Sequence, residues 1–341
     1  MDNKRKKRLF FQIPFLCALI IGSVLIIAQQ HNAPYQHDTG AIFGTIYNID
    51  YQYDHDLNDE IIAELNKVDA ALSMFNEKSV ISMVNRNEKV EVNDMFTEVF
   101  RMAEDISEET GGAFDITVAP LVNLWGFGFK TGNPPTKHTV DSIRAFVGYK
   151  GVSLKGRTIT KKDPRTMLDC SAIAKGYGSD IVARFLESKG ISNYMVEIGG
   201  EVVTKGISKK RLPWRIGVTK PTDDSLNTNG ELQAVLNVTD MAMATSGNYR
   251  KFYYRNGKKY AHTIDPATGK PVQHSLLSAT VLAKQCAKAD AYATSFMVMG
   301  MERAKEVLAK HPELMAYFIY TDQTGQFKVW CSPSMKGKII D

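Results

Sequence analysis

The sequence predicts an α+β fold, in which helices and strands follow one another without a regular alternation. Apolar residues recur at helical spacing in a few segments, and short β-type runs bounded by turn residues lie between them. The repeated strand–helix order of a doubly wound sheet is missing, as are the phosphate-binding motifs GxGxxG and GxxxxGKS/T. With 341 residues, 44% of them hydrophobic, the chain can bury one large core or two ordinary ones.

The N-terminal segment predicts a membrane anchor. Leu9 to Ala28 is an apolar run of twenty residues that a single glutamine interrupts. As a helix it would span roughly 30 Å, the thickness of the hydrocarbon core of a bilayer. Basic residues fill positions 4–8, and no Lys or Arg follows the run until Lys67, so the positive-inside rule predicts export of the body. We expect an uncleaved anchor over residues 1–28, with a cleaved signal peptide as the alternative.

Charge and cysteine content argue against a nucleic-acid-binding face and against a cysteine-rich metal site. The formal net charge of +5 comes from the basic cluster; without that cluster and the acidic residue at position 2, 37 basic and 36 acidic residues remain. No basic face for a nucleic acid is therefore predicted. Cys170, Cys286 and Cys331 form no CxxC pair of the kind that binds metal. We expect them to be buried free thiols, with one disulfide as the alternative in an exported protein.

The elements of the body follow from periodicity and turn residues. Polar residues 29–40 lack periodicity and predict a linker, which leaves 41–341 as the body. Asn93 or Asp94 is the expected N-cap of a helix that the glycine pair at 111–112 ends. We predict helices over 56–75, 93–110, 173–189, 287–299 and 300–312, strands over 152–160, 194–198, 214–218 and 232–238, and a loop over 131–137.

The segment from Leu168 to Gly206 predicts a loop, a helix, a turn and a strand. Asp169 and Lys175 flank the start of the helix, and a glycine pair at 199–200 follows the strand. Because glycine has no side chain, a ligand or another backbone could approach closely at the pair. A tight turn is the alternative interpretation of the same two residues.

Asp290 and Thr294 are candidate metal ligands. They lie four residues apart in the predicted helix 287–299, so both side chains point from one face. A carboxylate and a hydroxyl are hard oxygen ligands of the kind that Mg²⁺ prefers. On spacing alone, a capping or surface-exposed pair is the competing interpretation.

His262 is the histidine with the most suggestive setting. It precedes the turn sequence that runs from Asp265 to Gly269, DPATG. Asp, Pro and the final Gly favour a type I turn followed by a left-handed residue, which would hold His262 and Asp265 near one another on a hairpin. A neutral imidazole is a natural base for a hydroxyl nucleophile. A lone histidine is usually structural, and this is the competing interpretation of the residues alone.

Four blocks of the sequence carry a family resemblance. LDCSAIAKGYGSDIVARFLESKGISNYMVEIGGEVVTKG at 168–206 resembles the signature of the ApbE-type flavin transferases, the FAD:protein FMN transferases. Further blocks resemble that family at 111–128 (GGAFDITVAPLVNLWGFG), 244–272 (ATSGNYRKFYYRNGKKYAHTIDPATGKPV) and 287–300 (AKADAYATSFMVMG). The blocks stand in the order of the family, so the resemblance covers nearly the whole chain beyond the N-terminal segment.

The resemblance implies a fold and an activity. The fold would be an ApbE-like, two-lobed body of mixed sheet and helix behind the membrane anchor. The activity would be protein flavinylation: Mg²⁺-dependent transfer of FMN from FAD to a Thr or Ser hydroxyl of an exported acceptor protein, with release of AMP. Acceptors of this kind are flavoprotein subunits of membrane redox complexes, which places the chain at the bacterial inner membrane with its body in the periplasm. An FAD pyrophosphatase that gives FMN and AMP, or a non-catalytic FAD-binding protein, is the alternative.

The resemblance also implies roles for single residues. It implies metal binding by Asp290, Thr294 and the backbone carbonyl of Ala172, and catalysis by His262 with Asp265. The FAD contacts that it implies are Phe43, Phe75, Ala113, Phe114, Asp115, Asp169, Lys175 and Ile264. Many family members have Met at position 43, and core packing is the alternative for the aromatic residues at positions 43 and 75. With the resemblance, we expect proton transfer by His262, with substrate positioning as the alternative.

Overall fold

The computed structural model describes residues 12–25, 33–128, 135–221, 231–248, 252–255 and 258–340. Its helices are α1 (12–25), α2 (Asn58–Leu72), α3 (Val80–Asn85), α4 (Asp94–Glu109), α5 (Ala119–Leu124), α6 (Lys137–Arg144), α7 (Ala174–Ser188) and α8 (Cys286–Lys310). Its strands are β1 (Tyr35–Ile42), β2 (Thr45–Gln52), β3 (Val152–Lys155), β4 (Thr158–Lys161), β5 (Tyr194–Ile198), β6 (Glu201–Lys205), β7 (Arg215–Thr219), β8 (Leu232–Asn237), β9 (Ala242–Gly247), β10 (Phe252–Arg255), β11 (Lys258–Ala261), β12 (Ile264–Asp265), β13 (Lys270–Pro271), β14 (Leu276–Ala283), β15 (Met315–Thr321), β16 (Phe327–Cys331) and β17 (Ile339–Ile340). Helices and antiparallel hairpins are mixed along the chain, in agreement with the predicted α+β class.

An antiparallel sheet of eight strands forms the centre, in the order β1-β2-β5-β6-β9-β14-β15-β16. Smaller sheets contain β17-β8-β7, β10-β11, β12-β13 and β3-β4. Strand β14 is buried along nearly its whole length, as expected for a central strand with both faces covered. The central sheet therefore joins strands that are far apart in the sequence.

The two faces of the central sheet are covered differently. Val203 and Ala242 belong to a core that the helices cover, while their neighbours Val202 and Met243 belong to a core on the opposite face. This difference follows from the alternation of side chains along a strand. On the opposite face, the small sheet of β7, β8 and β17 completes the core. Helices, central sheet and small sheet thus form three layers.

Several turns with candidate site residues lie at one end of the central sheet. The β1–β2 turn contains Phe43, and β2 pairs with β5, so this turn lies beside the β5–β6 turn at Gly199 and Gly200. Strand β9 runs antiparallel to β6, which brings its last residues, Ser246 and Gly247, to the same end. We call this end of the sheet the site end.

Helices α7 and α8 meet closely at their N-terminal ends. Gly176 allows the approach, because a Cβ at this position would lie only 2.4 Å from the carbonyl oxygen of Cys286. One turn further along α7, Asp180 caps α8: its Oδ1 accepts from the Cys286 N–H at 2.8 Å and its Oδ2 from the Ala287 N–H at 2.9 Å. The start of α8 is therefore fixed by α7.

Several predicted helices are confirmed. Those expected over 56–75 and 93–110 are α2 and α4, and Asn93 caps α4 by accepting a hydrogen bond from the Phe96 N–H at 2.9 Å. The two helices expected at the C-terminal end are both contained in α8, where a kink at Gly300, with φ of 75°, separates them.

Two predictions of local structure need correction. Strand β1 begins at Tyr35 and pairs with β2, so residues 35–40 of the expected linker belong to the body. The single strand expected over 152–160 is the hairpin of β3 and β4. Gly156, with φ of 60°, reverses the chain between them, because only glycine adopts that conformation easily.

Two further predictions fall partly outside the described residues. Positions 1–11 and 26–28 of the expected anchor lie outside them, and so do positions 131–134 of the expected loop, whose last position, 137, begins α6. Among the helices that are described, none combines the length and the apolar character needed to cross a membrane. The anchor therefore stays a prediction.

Candidate active site

Asp290 is the buried carboxylate at the centre of the site. It lies in the second turn of α8, with 2% of its surface exposed. Its Oδ2 accepts a hydrogen bond from the Gly176 N–H at 3.2 Å and lies 3.8 Å from the Lys175 Nζ. Burial raises the pKa of the Asp290 carboxyl, and the Lys175 charge and the Gly176 amide oppose that rise. Among the described residues only these two groups approach the carboxylate as donors, so its Oδ1 is available to a ligand.

The carbonyl of Ala172 lacks its usual helical donor. In a regular helix the amide of residue 176 would donate to the carbonyl four residues earlier. Here the Gly176 N–H donates to Asp290 instead, and no amide in the described part of the chain donates to the Ala172 carbonyl. Helix α7 begins only at Ala174. A backbone oxygen one turn before Gly176 is therefore available to a ligand.

Thr294 lies one turn after Asp290 on α8. Its Oγ1 shares a hydrogen bond of 2.9 Å with the Oγ of Ser246, in β9 at the site end. A hydroxyl has one donor and two acceptor positions, so Ser246 can donate while Thr294 keeps a lone pair for a ligand. The central sheet thereby orients this side chain of α8.

Lys175 supplies positive charge next to Asp290. Its Nζ lies 2.9 Å from the Oε1 of Glu201, which is buried at the start of β6. Burial disfavours the charged lysine, but the carboxylates of Asp290 and Glu201 outweigh this effect and raise the pKa of Lys175. The ammonium therefore stays charged at neutral pH.

The oxygen donors of this site suit a hard divalent cation. A carboxylate, a hydroxyl and a carbonyl are ligands that Mg²⁺ accepts together with several waters. Within the described ranges, no group of three or more His, Cys, Asp or Glu side chains is arranged to hold a metal ion, so the nitrogen- and sulfur-rich set that zinc prefers is not seen there. The available oxygens of Asp290 and Ala172 fit Mg²⁺, and its binding stays a prediction.

His262 lies in the loop between β11 and β12. Its neighbour Thr263 donates from Oγ1 to the Oδ1 of Asn248 at 2.7 Å. Asn248 follows β9 directly, two residues after Ser246, so this bond ties the loop of His262 to the site end. The His262 ring stands edge-on to Phe127, with ring centroids 6.5 Å apart. Strand β12 also contacts α8, which places the histidine loop beside the helix of the proposed metal ligands.

The turn after His262 has the predicted form. Gly269 has φ of 69°, and its N–H donates to the carbonyl of Asp265 at 2.7 Å. The Oδ1 of Asp265 accepts from the Ala267 N–H at 2.9 Å, so this carboxylate stabilises the turn. Ile264 is 5% exposed and packs in a small core beside α5. The catalytic role of Asp265 and the cofactor contact of Ile264 stay predictions.

Three of the implied FAD contacts lie on two adjoining segments. The Asp169 N–H donates to the carbonyl of Ile116 at 2.6 Å, and the Asp169 Oδ1 accepts from the Ser171 N–H at 2.7 Å. Ala113 and Phe114, just before Ile116, are 5% and 2% exposed. Their side chains belong to the protein interior, so a contact with FAD would come from their backbone.

Asp115 organises the loop in which it lies. Its Oδ1 accepts from the Thr117 N–H at 2.8 Å and from the Thr117 hydroxyl at 2.6 Å, and its Oδ2 accepts from the Tyr149 N–H at 2.8 Å. Burial raises the pKa of the Asp115 carboxyl, and these hydrogen bonds oppose the rise. Both oxygens are thus engaged within the protein.

The two candidate aromatic contacts have different surroundings. Phe43 is partly buried, and its ring packs on α7 at Gly178, where a Cβ would lie 2.7 Å from a ring carbon. Phe75, in the loop between α2 and α3, is 71% exposed. Core packing therefore explains Phe43 in part, but it does not explain Phe75.

The structure brings Asp290 and Lys175 together where α7 meets α8, with Thr294 one turn further along α8 and Ala172 just before α7, and it holds the His262 loop at the same end of the sheet. It also adds residues that sequence reasoning missed: Glu201, Ser246 and Gly176. The glycine pair before Glu201 was a signal of close approach, but nothing local indicated that the next residue faces Lys175. Ser246 and Gly176 had no local signal, because their partners lie 48 and 114 residues away.

Comparisons with known proteins find relatives that extend over most of the chain. The sequence model of the ApbE family matches residues 43–318. An FAD:protein FMN transferase of Vibrio cholerae is 37% identical over 328 residues, which cover 93% of this chain and 96% of that protein. An FAD:protein FMN transferase of Escherichia coli is 34% identical over 305 residues, or 87% of this chain and 85% of that protein.

Solved structures are similar as well. The flavin transferase ApbE from Vibrio cholerae superposes with a TM-score of 0.81 at 37% identity, covering 90% of this chain and 99% of that one. The apo form of the flavinyl transferase ApbE from Pseudomonas stutzeri superposes with a TM-score of 0.79 at 29% identity, covering 89% of this chain and 96% of that one. The similarity thus extends over almost the whole body.

Proposed function

This chain belongs to the ApbE family, and on that premise we propose that it is an FAD:protein FMN transferase. In the proposed reaction, a Thr or Ser hydroxyl of an acceptor protein attacks the FAD phosphorus on the riboflavin side. The bond to the AMP portion breaks, AMP leaves, and FMN is joined to the acceptor by a phosphoester. Positioning and charge neutralisation dominate such transfers, so no covalent enzyme intermediate is needed.

The observation that supports the proposal most directly is the arrangement around Asp290. The Asp290 carboxylate is buried, yet one of its oxygens is available to a ligand. The Gly176 N–H, which in a regular helix would donate to the Ala172 carbonyl, donates to Asp290 instead. A buried charge is costly unless it meets a partner or a metal. We infer that Asp290, Thr294 and the Ala172 carbonyl hold Mg²⁺, which when bound neutralises charge on the pyrophosphate.

The other residues would act on the substrates directly. Lys175, fixed between two carboxylates, adds a positive charge beside the phosphates. His262 accepts the proton of the acceptor hydroxyl, and the bond between Thr263 and Asn248 holds its loop in place. Phe75 offers an exposed aromatic face to the flavin or the adenine, where stacking contributes about 1 kcal/mol.

The decisive experiment incubates the protein with FAD, Mg²⁺ and an acceptor domain, and then determines the mass of the acceptor. A covalent FMN adduct with an equal amount of AMP is expected. Asp290→Asn should abolish the adduct, because it removes the carboxylate charge that attracts Mg²⁺ to the site. Asp38→Asn is the matched control, since Asp38 is also buried but bonds to Tyr51 within the β1–β2 hairpin. AMP and free FMN with an unmodified acceptor would identify an FAD pyrophosphatase instead.

We further propose that the N-terminal apolar run anchors the protein in the bacterial inner membrane, with the body in the periplasm beside flavoprotein subunits of membrane redox complexes. The proposal is supported by the run from Leu9 to Ala28 and the basic cluster before it. Protease added to spheroplasts should digest the body, and the mature protein should keep its N-terminal peptide. A mature N-terminus near Gln29 would show a cleaved signal peptide.

A further inference from the structure

Glu201 occupies a position that the β5–β6 turn creates. Gly199 and Gly200 have φ values of 65° and 103°, conformations that residues with side chains rarely adopt. The turn reverses the chain so that the first residue of β6 faces the helices, where 3% of Glu201 is exposed. Its carbonyl accepts from the Ser179 hydroxyl at 3.0 Å, which ties β6 to α7. The backbone around Glu201 is therefore fixed relative to Lys175.

Two carboxylates compete for the Lys175 ammonium. Its Nζ lies 2.9 Å from the Oε1 of Glu201 and 3.8 Å from the Oδ2 of Asp290. The first distance is that of a charge-assisted hydrogen bond, whereas the second is an ion pair without one. The ammonium is thus drawn toward Glu201 and does not close on Asp290.

The preference of the Lys175 ammonium for Glu201 affects how readily Asp290 can bind a metal ion. An ammonium in direct contact with the carboxylate would occupy its oxygen and repel an approaching cation. Two carboxylates around one ammonium leave a net negative charge in a buried place, which favours a divalent cation. With Glu201 neutralised, Asp290 would be the only described carboxylate in contact with Lys175, and the ammonium would move onto it.

We propose that Glu201 is a positioning residue that holds the Lys175 ammonium away from Asp290 and so keeps the Asp290 carboxylate open to the metal ion. The inference rests on the proposed metal site, which it extends. Glu201 acts through Lys175 and needs no contact with FAD or with the metal ion.

The test measures metal binding without turnover. Mn²⁺, which substitutes for Mg²⁺ at oxygen sites and is visible by electron paramagnetic resonance, is titrated into the full chain without FAD. Glu201→Gln should weaken Mn²⁺ binding about tenfold or more, because the freed ammonium competes with the ion. Adding Lys175→Met to that variant removes the competitor and should restore much of the affinity. A merely structural role of Glu201 would not be rescued by a second substitution.

The matched control is Glu197→Gln on the same hairpin. Glu197 bonds to the Asn48 side chain and to the Gly200 N–H, away from Lys175, so its variant should bind Mn²⁺ like the wild type. Unchanged Mn²⁺ affinity in Glu201→Gln, or a double variant no better than the single one, would overturn the proposal. Wild-type affinity in Asp290→Asn would overturn it too, since the ion would then bind elsewhere. Absence of FMN transfer by the wild type, with the Mn²⁺ pattern intact, would refute only the proposed function.

Discussion

Two buried aspartates, Asp180 and Asp290, lie where α7 meets α8 and have different tasks. Burial raises the pKa of both carboxyls. Each oxygen of Asp180 accepts a backbone amide of α8, so this residue is fully engaged as a helix cap. Asp290 accepts a single amide, from Gly176, and keeps one oxygen available. The number of unused oxygens, rather than the burial, distinguishes the candidate ligand from the structural residue.

The pKa of Asp180 predicts a pH-dependent stability. Burial raises this pKa to about 6 from the ordinary 3.8, against the opposing amides of Ala287 and Cys286. Between these pH values the native state binds a proton that the unfolded state has lost, so the stability from this group falls as pH rises from about 4 to about 6. Over this pH range, the free energy of unfolding of the wild type should therefore fall by up to ~3 kcal/mol relative to that of Asp180→Asn.

Urea unfolding of both proteins at pH 4 and pH 7 measures this difference, in which the contributions of other groups cancel. A difference that grows with pH would contradict the prediction. It would show that the N-terminal end of α8 holds the pKa of the Asp180 carboxyl below its ordinary value.

A second prediction at this scale separates chemistry from binding at His262. If the imidazole accepts the proton of the acceptor hydroxyl, His262→Ala should slow FMN transfer roughly 10²–10⁴-fold. The dissociation constant of FAD should stay close to that of the wild type. Single-turnover transfer and FAD fluorescence titration measure the two quantities. His37→Ala is the control, because His37 is an exposed residue of β1 that pairs with Asp50. Equal losses of rate and affinity would show that His262 positions FAD.

At the scale of elements, the contact between α7 and α8 creates the candidate metal site. The two helices approach so closely that the Gly176 amide donates to Asp290 on α8 rather than to the carbonyl of Ala172, four residues earlier. Asp180 fixes the start of α8 at the same contact. The ligands on both helices therefore depend on a single short distance between backbones.

Gly176→Ala tests this dependence. A Cβ would lie 2.4 Å from the Cys286 carbonyl oxygen and 2.8 Å from the Ala287 nitrogen, and neither backbone atom can move without shifting α8. We expect a loss of about 1–3 kcal/mol in the free energy of unfolding, although alanine by itself favours a helix. FMN transfer should fall as well, because the Asp290 carboxylate shifts.

Gly151→Ala is the matched control. A Cβ at Gly151 meets nothing within 4 Å, so the variant should unfold within about 0.5 kcal/mol of the wild type in the same urea experiment. If Gly176→Ala unfolds and reacts like Gly151→Ala, the close contact of the helices does not shape the site.

At the scale of the whole molecule, the three layers decide which side chains solvent can reach. All four cysteines are free; Cys170 and Cys286 are buried, as predicted, whereas Cys331, which was also expected to be buried, is partly exposed. Burial raises the pKa of the Cys170 and Cys286 thiols, which suppresses the reactive thiolate. The layered fold should therefore protect these two thiols.

Labelling with a maleimide tests this protection. In the native protein, mass spectrometry of peptides should find label at Cys331 and almost none at Cys170 and Cys286. In denaturant these three cysteines should all react. Rapid native labelling of Cys286 would mean that α8 separates readily from the central sheet, which its bonds to Val202 and Met243 oppose.

The sequence by itself determined the local features of this protein. Helical spacing of apolar residues predicted α2 and α7, because each helix needs one buried face, and an N-cap with a glycine pair predicted α4. Spacing also put Asp290 and Thr294 on one face of a helix, and turn chemistry predicted the reversal at Gly269. The family resemblance added the Ala172 carbonyl. These features depend on residues within a few positions of each other.

Only the tertiary structure decided which distant residues meet. Strand β9 was not predicted, since its small and polar residues carry little β signal and only its pairing with β6 and β14 defines it. The contacts of Lys175 with Glu201, and of Gly176 with Asp290, join segments that no local pattern relates. The periodicity of apolar residues shows which face of a helix or strand is buried, but it does not show which other element covers that face. The packing partner is selected by the shape and charge of the whole chain.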